Sequence, residues 1–566
     1  MWLVATAGVL AAVGPAAAQA PGFERRTAPG GGAPELRLPP PPPPSPGFVL
    51  PPVPELPPTR PGPSEGVSVL VREIRLEGNT VVSTAELEPI VRRYEGRALT
   101  IEELLRLRDE LTLAYVERGY VNSGALLPDQ DVSQGIVTFR IVEGRLDEIR
   151  LEGLRSLDPA FLEARIRRGA GPPLNVRDLQ EQLQLLLLDP TIERLGARLG
   201  PGARPGASVL EADIVEGRRL RVDARLANDW SPSVGAEHGE IGATFFNLLG
   251  RGDPLRLEAS ASEGSRQGYL AYSVPVTASD LRLYGSGEIT RSDVVEHPFN
   301  QLDIQSRTWS LEFGASYPVL QRVADEVRLG LALSRRHSET SLLNEPFSFS
   351  PGAKNGKSDI TALRFRQDWD HRGRDLAVAF RSTFSLGLDA FGATINKDAP
   401  DSRYLAWLGQ FELARRLFEG DHQLVLRGSL QLASDPLLPL EQFAIGGLDT
   451  VRGYREDLLV LDNGYTASIE YRLPLFRLPI PGWSESPEDG ILYLAPFADI
   501  GGGFNTDSPT PDPDHIYSIG SGLRWSPAPG FNLALYAGVA LKEVPNPQDR
   551  NLQDQGIHFE VQLRLY

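Results

Sequence analysis

The stretch Leu255-Arg-Leu-Glu-Ala-Ser-Ala-Ser262 decides how most of the chain is read. Leu255, Leu257, Ala259 and Ala261 share one face, while Arg256, Glu258, Ser260 and Ser262 share the other. Successive side chains of a strand point to opposite faces, so this period of two marks a strand with one apolar side. The pattern returns in Leu424–Ala433, where Leu424, Leu426, Leu430 and Leu432 oppose Arg427, Ser429 and Gln431. It returns again in Phe531–Leu541, where Phe531, Leu533, Leu535, Val539 and Leu541 oppose Asn532, Tyr536 and Gly538. From about Arg218 onward no helical periodicity interrupts it.

Such segments begin near residues 220, 239, 253, 268, 281, 307, 326, 360, 375, 403, 422, 464, 490, 517, 531 and 556. An even set of about sixteen strands, each roughly ten residues long, is the signature of a bacterial transmembrane β-barrel. The connections sort by parity. Tight links (Arg251-Gly252, the Ser279 region, Gly373-Arg374, Ala528–Gly530) mostly alternate with long ones at 293–306, 340–359, 389–402 and 435–463. Barrels have short periplasmic turns and long outer loops, so 435–463 belongs outside and the N-terminal part of the chain in the periplasm. The link at 476–489 is longer than a periplasmic turn should be. A soluble sandwich or propeller would also alternate, but parity-sorted loops behind a secretory leader favour the closed barrel, 218–566.

That leader is Met1–Ala20, a short apolar stretch ending in small residues, and it reads as a signal peptide. Residues 21–66 are rich in Pro and Gly, as in Pro39–Pro44, and form a stiff, extended linker. Between linker and barrel, two α/β units repeat one order, at 67–144 and 145–217. The first opens with a strand over Val67–Gly78. Ser83 with Glu86, and Thr100 with Glu103, have capping-box spacing. Leu104, Leu107, Leu111 and Tyr115 form a stripe at helical spacing. In the second unit Asn175 caps the helix Val176–Leu188.

Composition excludes several classes of function. A formal charge of −17 argues against a nucleic-acid partner. With no cysteine and seven histidines, no thiol chemistry and no His-pair zinc motif are available. Asp507, Asp512 and Asp514 lack the calcium-loop spacing and read as a solvated outer loop. No catalytic constellation emerges, so no enzyme, metal or cofactor is expected.

Four groups of residues carry a family resemblance. The first unit holds Gly119-Tyr-Val-Asn-Ser123, Pro128-Asp-Gln130, Gly135 and Glu143-Gly144. The second holds Pro173-Leu-Asn175, Leu186-Leu-Leu-Asp189-Pro190, Leu199-Gly-Pro-Gly202 and Gly206-Ala-Ser208. The barrel adds Gly446-Gly-Leu-Asp-Thr-Val451-Arg452-Gly453-Tyr454 on its longest outer loop, and Phe497-Ala-Asp499-Ile-Gly501 on a later strand. Together these resemble the outer-membrane exporters of two-partner secretion, within the superfamily of barrels with polypeptide-transport-associated (POTRA) domains. The resemblance implies a multi-domain chain: two α/β POTRA domains, then a 16-stranded antiparallel transmembrane β-barrel in the outer membrane. It implies export of a large unfolded β-helical client by a monomer seated in outer-membrane lipid. A barrel-assembly insertase and a passive porin are the alternative functions.

Parity places Asp499 with Tyr493 and Phe497, opposite Leu492, Leu494 and Ile500. A carboxylate facing lipid is costly, so Asp499 should face the lumen. The family implies that Arg452 meets Asp499 and docks the loop on the inner wall, with a single guanidinium holding it. Val451, Gly453, Tyr454, Phe497 and Gly501 would support that contact. Read alone, Arg452 would tip a solvated surface loop. At the C-terminus Phe559, Val561, Leu563 and Leu565 make the apolar face, which leaves Tyr566 on the polar parity.

Overall fold

The architecture is taken from a computed structural model that describes residues 68–565, apart from 419, 485, 487, 488 and 545–549. The expected signal peptide, the proline-rich linker and the parity of Tyr566 lie outside those residues.

The opening strand, expected to run unbroken from Val67 to Gly78, is instead two: β1 (Ser68–Val71) and β2 (Glu73–Glu77). The N–H groups of Arg72 and Glu73 both point at the Gly135 carbonyl, at 2.7 and 3.3 Å, and the chain changes partner there. Helix α1 (Thr84–Val91) starts at a complete Ser83–Glu86 capping box. Strand β3 (Arg97–Thr100) pairs back with β1, and α2 (Ile101–Val116) starts at the Thr100–Glu103 box. Strands β4 (Gly124–Leu126) and β5 (Ile136–Val142) complete a three-stranded sheet with β2, the β2–β5 pair being parallel. Leu104, Leu107, Leu111 and Tyr115 bury their stripe in the core of this unit.

The next unit repeats the order with β6 (Arg145–Glu152), α3 (Pro159–Arg167), α4 (Val176–Leu187), β7 (Ile192–Pro201) and β8 (Ala207–Glu216). Asn175 caps α4 by accepting the Arg177 N–H at 2.9 Å. The sheet order is β6-β8-β7, again with one parallel pair. The two units share a sequence device. Ile74-Arg-Leu-Glu-Gly78 matches Ile149-Arg-Leu-Glu-Gly153, and Ile141-Val-Glu-Gly144 matches Ile214-Val-Glu-Gly217. Gly78 and Gly153 turn the chain at φ of 90° and 82°. The carboxylate that ends each unit then ties down the turn after β2 in the first and after β6 in the second. Glu143 accepts from the N–H groups of Thr80 and Val81, at 2.6 and 3.0 Å. Glu216 accepts from Arg155, Ser156 and Leu157 N–H at 2.7, 2.8 and 2.9 Å, and from the Ser156 hydroxyl at 2.6 Å.

The units abut each other and the barrel. Asn122 Nδ2 donates to the Gly206 carbonyl and Ser208 Oγ across the first joint, at 3.2 and 3.0 Å. At the second joint, a barrel turn inserts beneath α3. Asp158 N–H donates to the Gly250 carbonyl at 2.7 Å, and Asn247 Nδ2 to Ser156 Oγ at 2.9 Å.

Sixteen antiparallel strands close the wall among the described residues. They are β9 (Leu220–Ala227), β10 (His238–Phe245), β11 (Leu255–Ser262), β12 (Ser265–Pro275), β13 (Arg282–Asp293), β14 (Ile304–Gln321), β15 (Asp325–Leu342) and β16 (Lys357–Arg372). The others are β17 (Leu376–Leu388), β18 (Leu405–Leu417), β19 (His422–Ala433), β20 (Asn463–Arg477), β21 (Ile491–Phe504), β22 (His515–Ala528), β23 (Phe531–Ala540) and β24 (Ile557–Arg564). Closure comes from β24 pairing with β9, Glu560 opposite Ala227 through Arg564 opposite Asp223. The long periplasmic link at 478–490 folds against the end of β22. Trp525 Nε1 donates to the Leu478 carbonyl at 3.0 Å, and Ser484 Oγ to the Pro527 carbonyl at 2.6 Å. The longest connection, 434–462, runs back inside the barrel.

Burial would push the Glu216 carboxyl up, but its four donors outweigh burial and hold it down at about 2. A depressed folded pKa stabilises above the unfolded value near 4.3 and loses that contribution as pH falls toward the folded one. Hydrogen exchange on α3 of the intact protein should therefore rise between about pH 4.5 and 2. Glu216→Gln should exchange faster at neutral pH, by roughly 2 kcal/mol of lost protection, with that pH step removed. An unchanged pH step in the variant would refute the assignment.

Candidate functional site

The loop 434–462 enters the lumen as a hairpin stem, Phe443–Ile445 paired with Leu459–Leu461. Its tip turns on Gly446 and Gly447, at φ of 117° and 97°, values that side chains rarely tolerate. Thr450 closes the turn: its Oγ1 donates to the Gly446 carbonyl and accepts the Gly446 N–H, both at 2.8 Å. Val451 is then fully buried in an apolar cluster with Ile445, Leu459, Leu461 and Ile516.

Arg452 follows, 2% exposed. Its Nε and Nη2 donate to the two carboxylate oxygens of Asp499 at 2.8 and 2.9 Å, a planar fork on a planar acceptor. The Arg452 backbone N–H adds a third bond to Asp499, at 3.0 Å. Nη1 meets Glu470 at 2.5 Å, and Glu470 also holds Arg472 at 2.8 Å. Arg452 and Arg472 thus meet Asp499 and Glu470 in a buried pocket, with Arg524 beside them donating to the Tyr536 hydroxyl at 2.8 Å. Burial of this kind is costly unless every charge finds hydrogen bonds, and here Ser468 Oγ and the Tyr536 hydroxyl, each at 3.0 Å, supply the remaining ones. The Phe497 ring lies 3.6 Å beneath the guanidinium and Tyr536 at 4.7 Å, both within cation–π range.

The flanking residues explain their own identities. Gly453, at φ of 90°, passes so close to β23 that a Cβ on Gly538 would sit 2.8 Å from its Cα. Its N–H donates to His558 Nε2 at 3.0 Å, so that nitrogen presents a lone pair. Tyr454 accepts the Lys542 N–H at 2.9 Å, and its hydroxyl lies 3.0 Å from the carbonyls of Tyr517 and Lys542. A Cβ on Gly501 would meet Ile445 at 2.6 Å and Val451 at 3.0 Å. Arg452, Asp499, Val451, Gly453, Tyr454, Phe497 and Gly501 are thus brought together at one place.

A single guanidinium does not hold the loop; that expectation is corrected. Glu441, on the descending limb, meets Arg364 of β16 at 2.7 Å. Arg364 is fully buried and also donates to Ser334 and Ser385 Oγ, at 2.9 and 2.7 Å. Arg336 of β15 donates to the Leu440 carbonyl at 2.7 Å. Beyond the tip, Arg455 binds Asp554 through Nε and Nη2 at 2.5 and 2.7 Å, and Glu296 at 2.5 Å. These fasten the loop to outer connections on both sides. Period two marks Arg336, Arg364 and Glu470 as inward-facing, but nothing in the sequence says which loop residue each would meet.

The ionisable groups gathered here hold one another as ion pairs. Among the described residues, no group of three or more His, Asp or Glu is placed to hold a metal. Asp507, Asp512 and Asp514 lie in the outer connection 505–514.

Comparison with known proteins fits this architecture. Residues 69–144 match the POTRA domain of ShlB type, and residues 206–524 match the haemolysin secretion/activation protein ShlB/FhaC/HecB. The outer membrane transporter CdiB of Escherichia coli is 24% identical over 491 residues, 83% of this chain and 77% of that one. The heme/hemopexin transporter protein HuxB of Haemophilus influenzae is 22% identical over 519 residues, 87% of this chain and 86% of that one. Among solved structures, CdiB from Escherichia coli superposes with a TM-score of 0.66 at 21% identity, covering 91% of this chain and 94% of that one. BamA from Haemophilus ducreyi lacking POTRA domains 1–3 reaches 0.53 at 16% identity, covering 88% of this chain and all of that one. With a POTRA domain, a closed sixteen-strand barrel and a family model matched over more than half its length, this chain belongs to the haemolysin secretion/activation family, the outer-membrane transporters that export partner proteins by two-partner secretion.

Proposed function

We propose that 434–462 is the plug of the export pore and that Arg452 with Asp499 is the contact that must form, and be released, for a client to pass. The observation carrying this reading is the buried fork of Arg452 on Asp499, set on a loop that enters the lumen from the outer side. Glycines at 453, 501 and 538 remove the side chains that would keep loop and wall apart. The drive for transport is folding of the client outside the cell.

The unit 145–217 acts as a second POTRA domain beside 67–144. The repeated Ile-Arg-Leu-Glu-Gly and Ile-Val-Glu-Gly motifs and the matching Glu143 and Glu216 ties support this. Both units have short, open-edged sheets, suited to adding an extended client segment as a further strand. The client is a large secreted protein that folds as a β-helix, and the transporter works as a monomer in outer-membrane lipid.

Arg452→Ala leaves Asp499 without its buried cation and Glu470 with Arg472 alone, a loss of roughly 3–5 kcal/mol in settings of this kind. Client in the medium should fall to background while the heat-dependent gel mobility of the folded barrel persists. Normal secretion by this variant would defeat the reading. Removing residues 67–144 should abolish binding of an unfolded client fragment and preserve single-channel conductance. Undiminished binding would show that the first domain is not the receptor.

A further inference from the structure

Three arginines stand side by side on the outside of the wall. Arg266 of β12 is opposite Arg291 of β13, which is opposite Arg307 of β14. All three are exposed and share the outward parity of their strands with Leu270, Ile289 and Phe313. Opposed residues of neighbouring strands lie about 5 Å apart, where like charges repel. Among the described residues, none of the three makes an ion pair or side-chain hydrogen bond. Nearby carboxylates are engaged elsewhere. Glu339, which faces Arg307, lies 3.3 Å from Lys357, and Asp359 binds Arg335 and His337 at 2.9 and 3.2 Å. Asp293 stands one step farther out, opposite Gln305.

The height of this row is informative. An arginine is costly at the bilayer midplane and tolerated at its edge, and Trp309, two residues below Arg307, marks the headgroup level where aromatic girdles lie. Directly beneath the row, the same strands form a furrow of about 750 Å³. There small residues stand between bulky ones: Ala259, Gly268 and Gly287 lie among Leu270, Ile289 and Trp309. A cationic row above an apolar furrow matches an amphiphile with anionic groups at one end and acyl chains at the other. Guanidinium forks suit phosphate oxygens.

We propose that Arg266, Arg291 and Arg307 form a binding site for the phosphates of an outer-leaflet glycolipid, with its acyl chains along the furrow below. The proposal rests on the orientation that puts 434–462 outside, and it is independent of how the loop is released. It is tested on the full chain in nonionic detergent, with bisphosphorylated lipid A as the probe and native mass spectrometry to count bound lipid. The wild type should retain the probe, and Arg266→Gln/Arg291→Gln/Arg307→Gln should bind at least tenfold more weakly. Arg→Lys at the same positions should keep most of the binding, and dephosphorylated lipid A should bind the wild type as weakly as the Gln variant binds the probe. Equal binding by wild type and Gln variant, or equal binding of both lipids, overturns the site. Gel mobility of the folded barrel, together with client secretion, separates this failure from a failure of the export reading.

Discussion

Hydrocarbon offers no partner to a backbone N–H or carbonyl, and that constraint shapes the whole C-terminal part of this protein. A sheet in a bilayer has to close, and here β24 meets β9 to do so. Closure divides every strand into a face for lipid and a face for the lumen. The lipid face takes Ile289, Phe313 and Val539; the lumen face takes Glu470, Asp499 and Arg364. Charges that would be prohibitive outside become available inside, where a returning loop can meet them. The returning loop is in this sense a consequence of closure: a polar interior of this width has to be filled by water or by chain.

Filling it with chain creates a second demand. Once the loop buries the Arg452 pocket, each charge there needs a partner of the right geometry. The structure answers with Arg452 and Arg472 against Asp499 and Glu470, backed by Ser468, the Phe497 ring and Tyr536, which in turn accepts from Arg524. A lysine could supply the charge but not the fork, because one ammonium cannot match both oxygens of Asp499 while reaching Glu470. The glycines belong to the same demand. Gly453 and Gly538 bring two backbones together at a distance that any side chain would prevent, and that approach lets the short Asp499 side chain reach the loop.

Much of this could be read from the residues. Alternation placed the barrel strands to within a few residues, and parity turned Asp499 inward before any partner was known. The capping boxes at Ser83 and Thr100 fixed two helix starts. What could not be read were choices made by tertiary contacts. Arg72 looks like one more residue of a continuous strand, and only Gly135, far along the chain, breaks the strand there. Glu441 lies in an unpatterned stretch of loop, and its partner Arg364 is one of many inward polar residues. Local periodicity says which way a side chain points but not what meets it. The Ile-Arg-Leu-Glu-Gly and Ile-Val-Glu-Gly motifs are different: the pattern reading took only the repeated order of strands and helices, and the motifs gain a role when Glu143 and Glu216 are seen reaching back over the turns.

The three fastenings are not equivalent, and their placement bears on how the proposed plug could move. Glu441 joins the descending limb to β15 and β16, Arg452 joins the tip to β20 and β21, and Arg455 joins the loop to the outer connections 294–303 and 541–556. Releasing all three at once would expose several buried charges together, a cost well beyond any one pair. Releasing the tip while Glu441 stays seated exposes fewer, and it leaves the limb as a pivot on the opposite wall. The Arg455 contacts lie nearer the outer rim and are less deeply buried than those of Arg452, so water can replace them more cheaply. A loop held strongly at its base and tip, and less strongly at its outer edge, favours swinging over wholesale expulsion. Arg452 remains the point at which the swing is resisted most.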